Sequence, residues 1–377
     1  MTRSIFSPAR RFAAALLALL FALLAAGPCF ARAAAPALED TLAQVRRLEA
    51  LADAWAGEHP GSDPMELTVN YLCGQRYDDP LWSLVLGGGS EAFEDYVRQN
   101  DPGLGALQSL ADVTLPTGEA VDFLHLAAAA GACYGYGMPQ IVCSWGGDCV
   151  QLAAPARGTS GDPAACYEAL AAGFAAPDGT GYFPLSDWLA DVDGVNLGQR
   201  LLAGEGLADA LEGYYSLLAG TSDPDAARAE QFVALQFGGA DTGDSEGFRA
   251  LVWNTFSQDA GVQLYLLANE YADVDDEGRT VIAADLQAPL QAACMLVADR
   301  LADALDGRVV DPPAATPRPE DGPSASAPPA ATPAPGANAP ALWALVEQHP
   351  GVLLGAMGLL AAAFVAVAAA LWRMGRR

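Results

Sequence analysis

The sequence predicts an all-α fold for residues 36–310, and three observations predict it. Asp-Pro pairs recur ahead of apolar runs with helical spacing. Apolar residues repeat at three- and four-residue intervals at both ends of the segment, and alternating strand patterns are almost absent.

The first helix is read from Leu38, Leu42, Val45, Leu48, Leu51, Ala52 and Trp55, which share one helical face. Helix starts follow at Asp63-Pro64, Asp79-Pro80, Asp101-Pro102, Asp162-Pro163 and Asp223-Pro224. In each pair the aspartate accepts free amide hydrogens, and proline at the first helical position forfeits no bond. Ser90, Ser186, Asp244 and Asp259 are further caps, and Thr280–Leu305 closes the segment as an amphipathic helix. Val121–Leu126 reads as helical, with Asp122 and His125 on one face. Val113-Thr114-Leu115 and Tyr182-Phe183 are the two short extended candidates. With no repeat and no internal linker, one domain is expected across residues 36–310.

The flanks give an address. Residues 1–33 have the build of a signal peptide: Arg3, Arg10 and Arg11, an apolar stretch from Phe12 to Ala26, then Ala31-Arg32-Ala33. Residues 311–340 hold ten prolines and form an extended, disordered stalk. Gly351–Trp372 carries no charge and is long enough to span a bilayer, and the basic tail at residues 373–377 stays inside by the positive-inside rule. No Leu-Pro-x-Thr-Gly sorting motif precedes the span. The chain reads as a single-pass bacterial cell-surface protein with an extracytoplasmic helical domain and a cytoplasmic C-terminus. The richness in alanine, glycine and arginine fits a GC-rich bacterial genome.

Among 377 residues, all 19 basic side chains are arginine, against 46 acids, for a net charge of −27. Without lysine there is no Walker phosphate loop and no Schiff-base or pyridoxal-phosphate chemistry. So acidic a chain also lacks the cationic footprint that nucleic acid requires. No cofactor is expected.

Six cysteines follow the signal segment: Cys73, Cys133, Cys143, Cys149, Cys166 and Cys294. An even count in an exported chain predicts three disulfides bracing the domain, four of the six lying in an irregular loop from Cys133 to Cys166. No Cys-x-x-Cys spacing occurs, so no structural zinc site is expected, and no metal ligand is assigned, although Asp187 and Asp191 with His125 and Asp148 have the residue types of a hard-metal or acid/base site. Asp148-Cys149 resembles, over two residues, the aspartate-cysteine pair of secreted cell-wall peptidases. Val150-Gln151-Leu152 departs from that pattern and His125 precedes the cysteine, so a disulfide is the preferred reading of Cys149.

The candidate catalytic residues are His125 with Asp122, Asp148, Asp187 and Asp191. A neighbouring aspartate orients an imidazole and raises its basicity. Asp187 and Asp191, one helical turn apart, repel unless a proton or cation sits between them. Against these stand blander roles: a core histidine, a helix cap at Asp148, a solvated acidic face. Trp145, Tyr134 and Tyr136 are the candidate binding residues, with Gly146-Gly147 allowing close backbone approach. Asp273–Gly278 begins like a calcium loop, but Ala284 stands where a bidentate glutamate is needed. Two functions are expected to compete: display of an acidic domain that binds an envelope polymer, partner protein or host surface, and a glycan or peptidoglycan hydrolase built on His125.

Overall fold

The computed structural model describes residues 35–73, 90–171, 174–176 and 183–311. The signal segment, nearly all of the stalk, the apolar span with its basic tail, and Asp79-Pro80 lie outside the described residues. Among those described, the chain is mostly helical, with three two-stranded sheets. No described helix is long and apolar enough to cross a membrane.

The order is α1 (Leu38–Glu58), α2 (Pro64–Cys73), α3 (Glu91–Asn100), a 3-10 helix (Pro102–Ser109), β1 (Asp112–Thr114) and β2 (Ala120–Asp122). Then come α4 (Phe123–Tyr136), α5 (Trp145–Ala153), α6 (Pro163–Ala171), β3 (Phe174–Ala176), β4 (Phe183–Pro184) and α7 (Leu185–Leu202). The last third is α8 (Leu207–Ala219), α9 (Pro224–Phe237), α10 (Ser245–Gln258), α11 (Ala260–Ala268), β5 (Ala272–Val274), β6 (Thr280–Ile282) and α12 (Ala284–Ala304).

Caps follow the expected chemistry. Asp63 accepts from the amides of Met65 and Glu66, Ser90 from Phe93, Asp223 from Ala226, Asp244 from Gly247 and Asp259 from Val262. Asp101-Pro102 opens a 3-10 helix and not an α-helix. Residues 121–126 differ from expectation: β1 and β2 form an antiparallel hairpin, and α4 begins only at Phe123, with Asp122 as its cap. The cysteine-rich stretch is likewise no irregular loop, since it contains the end of α4, all of α5 and the start of α6. The calcium-like segment is the turn of the β5–β6 hairpin, where Asp275 accepts from the amides of Glu277 and Arg279 and pairs with the Arg279 guanidinium.

One hydrophobic cluster takes in residues from all twelve described α-helices, with α6 and α11 contributing only Cys166 and Leu170, and Val262 and Leu266, to its fully buried part. Its centre is the packing of α4 on α7, the most extensive helix contact in the molecule. The α4 sequence from Ala127 to Ala130 offers small side chains, and α7 answers with Gly194 and Gly198. A Cβ at Gly194 would stand 2.5 Å from Ala129 Cβ and 3.1 Å from the carbonyl oxygen of Leu126, and one at Gly198 would collide with Cys133 Cβ. The two backbones therefore approach as closely as glycine permits.

Against the outer face of α7 lies a buried polar network. Arg228 of α9 makes a two-pronged contact with Glu119, at 3.0 and 3.1 Å, and its Nε stands 3.2 Å from Asp193 Oδ1. Asp193 also accepts from the hydroxyls of Tyr214 and Tyr215, and Asn196 donates to Tyr214 Oη and to the Arg228 carbonyl. Pro289 sits inside α12 without breaking it. The carbonyl of Asp285, four residues back, is satisfied by the Gly158 amide at 2.7 Å.

Gly194→Ala is expected to lower unfolding stability by about 1–3 kcal/mol through overpacking against Ala129. Chemical denaturation reads this as a shifted midpoint, and a neutral result would mean that the helices separate freely.

Candidate functional site

Three of the expected catalytic residues meet at the α4–α5–α7 junction. One ring nitrogen of His125, one carboxylate oxygen of Asp148 and one of Asp191 lie within 4.8 Å of one another. His125 comes from the first turn of α4, Asp148 from the first turn of α5 and Asp191 from the middle of α7. His125 Nε2 stands 3.4 Å from Asp191 Oδ1. Asp191 is 0% exposed and Asp148 4%, whereas the His125 side chain is 18% exposed and supplies the edge nearest solvent. Both carboxylate oxygens of Asp191 and Oδ2 of Asp148 are buried without a hydrogen-bond partner.

Asp187 lies one turn before Asp191, half-buried, with its Oδ1 accepting from the Ser186 hydroxyl at 3.2 Å. Burial raises its affinity for a proton, the His125 imidazole opposes that, and Asp122 and Asp112 add to it. Asp191 behaves alike and more strongly: burial pushes its carboxyl up to about 7, against His125 and with Asp122. All five expected residues thus share one electrostatic neighbourhood.

Their roles differ from expectation. Asp122 is the cap of α4, its Oδ1 accepting from the backbone amides of Leu124 and His125. The carboxylate facing the ring is Asp191, which spacing along the chain does not reveal. Asp148 is no cap either: α5 begins at Trp145, and Asp148 lies within its first turn. His125, Asp148 and Asp191 bring nitrogen and oxygen donors of the kind a divalent cation takes within 4.8 Å of one another.

The binding candidates separate. Trp145 is 0% exposed, packed against Phe237 and Phe256 with its indole nitrogen donating to Gln236, so it is a core residue and offers no face to a ligand. Gly146 and Gly147 serve packing too: a Cβ on either would stand within 2.9 Å of the carbonyl oxygens of Ile141 or Val142. Tyr136 is partly exposed at the end of α4. Tyr134 lines an open cleft of about 480 Å³ together with Glu49, Asp53, Asp63, Met65, Leu201 and Glu205. Its hydroxyl donates to Asp63 Oδ2 at 2.9 Å, and burial with that carboxylate raises the phenol to about 12. Glu49, held up by burial and partly relieved by backbone amides of α8, shares the cleft wall. His125, Asp148 and Asp191 do not line this cleft.

The six cysteines are free thiols, all buried, so the expected disulfide bracing is not formed in this structure. Helix packing closes the core without it. Burial raises the Cys149 thiol well above its ordinary value, with Cys294 as hydrogen-bonding neighbour, which disfavours the thiolate there. Cys143 is raised likewise, with Cys133 beside it. His59 stacks on Trp55 at 3.7 Å and contacts its carbonyl oxygen, a helix-end role.

A family model described as YkzU uncharacterised protein matches residues 127–309, just under half of the chain. That stretch contains Asp148, Asp187 and Asp191, while His125 lies two residues before it. No curated protein and no solved structure matches the chain.

Because the folded value of Asp191, about 7, lies above its ordinary 3.8, folding favours the protonated form. Its ionisation therefore costs nothing below about pH 4, and the cost grows to its full value above about pH 7. Asp191→Asn removes that cost. In protein stripped with EDTA, the variant is expected to exceed wild type by about 2–4 kcal/mol at pH 8 and to converge with it near pH 4. Denaturant unfolding at pH 4, 6 and 8 measures this, and a pH-independent difference would contradict the burial of the charge.

Proposed function

We propose that this chain is a membrane-anchored bacterial surface protein that holds an acidic helical domain outward on a Pro/Ala-rich stalk and acts by binding. The observation that carries the reading is the open cleft, whose wall presents Glu49, Asp53, Asp63 and Glu205 beside Tyr134 and Met65. No arginine is among its lining residues. Carboxylates around an aromatic and a thioether suit a cationic group with an apolar stem. The ligand class is therefore a basic segment of a partner protein, of an envelope polymer or of a host surface.

The address rests on the flanks, with a signal segment before the domain and an apolar span and basic tail after it. Export gives the cysteines an oxidising environment. Cys149 of α5 and Cys294 of α12 are then the first pair to bridge, their thiols being hydrogen-bond neighbours, and Cys133 with Cys143 is the second.

The hydrolase reading has its own support in the meeting of His125 with Asp148 and Asp191. A glycan approaching that cluster meets only the partly exposed edge of His125, because the two carboxylates are covered. Binding is the better-supported function.

Titration of the full-length chain with an oligo-arginine peptide is expected to show saturable binding that weakens about tenfold in the Glu49→Gln, Asp53→Asn double variant. Equal binding by the variant would sink the cleft assignment, and turnover of peptidoglycan fragments that His125→Ala abolishes would favour the hydrolase instead. Peptide mapping under non-reducing conditions, after expression with export, is expected to recover Cys149 linked to Cys294. Alkylation of all six thiols in the exported protein would contradict the oxidising address.

A further inference from the structure

Two buried carboxylates stand with an imidazole in one cluster within 4.8 Å, and three of their four oxygens have no hydrogen-bond partner. Asp191 is wholly enclosed with both oxygens unpartnered, and Asp148 is nearly so with one. Asp122 acts electrostatically on both Asp187 and Asp191, so further negative charge lies in the same neighbourhood. Among the described residues no arginine pairs with Asp148 or Asp191, although arginine elsewhere pairs with Asp193, Asp285 and Asp299. A buried unpaired carboxylate costs several kcal/mol unless it is neutralised by a proton or a cation.

The donor set and its spacing specify the cation. Ligand atoms about 2.1 Å from a tetrahedral ion stand roughly 3.4 Å apart. His125 Nε2 and Asp191 Oδ1 are already 3.4 Å apart, and the remaining donor atom lies within 4.8 Å of both. A small rotation of the Asp148 side chain closes that gap. One imidazole with two carboxylates is a borderline-hard set, suited to manganese, ferrous iron or zinc more than to calcium, which asks for six or more oxygens.

We propose that His125, Asp148 and Asp191 form a binding site for one divalent transition-metal cation. The three donors come from α4, α5 and α7, so the ion ties together three helices whose contact no disulfide crosses in this structure. Three protein ligands leave at least one coordination position, which opens toward the partly exposed edge of His125 and takes water or a donor atom of a ligand. This site is independent of the acidic cleft, since the two share no residue.

The test uses the full-length chain, stripped with EDTA and titrated with manganese(II) alone, because manganese prefers imidazole and carboxylate over the six thiols. Free ion is followed by electron paramagnetic resonance and stability by thermal unfolding. Expected are one saturable ion per chain, at least tenfold weaker binding in Asp191→Asn and in Asp148→Asn, unchanged binding in Glu58→Gln, and a manganese-dependent rise in Tm for wild type and Glu58→Gln but not for the two carboxamide variants. Asp191→Asn removes an unpartnered charge and keeps the shape, so without metal it is expected to be folded with a Tm no lower than wild type. No saturable binding by wild type, equal binding by both carboxamide variants, or failure of Asp191→Asn to fold would each overturn the assignment.

Discussion

The close approach of α4 and α7 is the contact on which the rest of the molecule depends. Alanines from Ala127 to Ala130 on one helix and Gly194 and Gly198 on the other let the two backbones pack with almost nothing between them. Alanine and glycine lose little or no side-chain entropy on burial, so a tight interface is reached at small entropic cost. What they forgo in buried area is recovered from the larger residues around them, such as Phe123, Trp188 and Phe232. The same approach decides the chemistry: it carries His125 to within 3.4 Å of Asp191.

Helix α7 then offers a comparison within one element. Asp191 and Asp193 are two residues apart, about 200° around the axis, and both are 0% exposed. Asp193 has what a buried structural carboxylate requires: the Arg228 guanidinium, two tyrosine hydroxyls and a location where Glu119 completes the salt bridge. Burial still pushes it up to about 6, with Arg228 and the tyrosines resisting. Asp191 has the His125 imidazole at 3.4 Å, and neither of its oxygens accepts a hydrogen bond. Asp193 is thus paired with an arginine and hydrogen-bonded, although Arg228 Nε and Asn196 Oδ1 beside it lack hydrogen-bond partners, whereas neither oxygen of Asp191 has one. A fold that pairs one buried carboxylate of α7 with an arginine leaves the other as the position shaped by something other than stability.

Legibility in the sequence followed the range of the interaction. Helix starts were readable because an aspartate and the amides it caps lie within three residues of each other, as at Asp63, Asp223 and Asp259. The pairing of His125 with an acid was readable as a tendency, but the acid named first, Asp122, was the local one, and the backbone had claimed it. Asp191, 66 positions away, required the helix packing. Trp145 misled because an aromatic beside two glycines looks like a ligand platform, whereas the glycines fit α5 onto Ile141 and Val142. Arg228 carried one local signal, Asp225 three residues before it, and gave no hint that its main partners lay at Glu119 and Asp193. The cleft joins residues from Glu49 to Gly206 and leaves no mark on any single stretch.

The acidity of the domain acquires meaning once its carboxylates are sorted by what holds them. Many are caps, consumed by backbone amides, and others are neutralised by arginine, as at Glu205 with Arg200 and Asp299 with Arg249. Two groups of carboxylates stand out from the rest, one on the cleft wall and one in the cluster around His125. The summed field of such a domain draws cations toward both places, yet the two respond differently to salt. Charges on the open cleft wall act through water and are screened over about 10 Å at 0.1 M ionic strength, whereas Asp148 and Asp191 are enclosed and screened far less. Long-range attraction therefore governs how readily a basic partner arrives at the cleft, while the enclosed cluster discriminates by donor type and spacing, which ionic strength does not change.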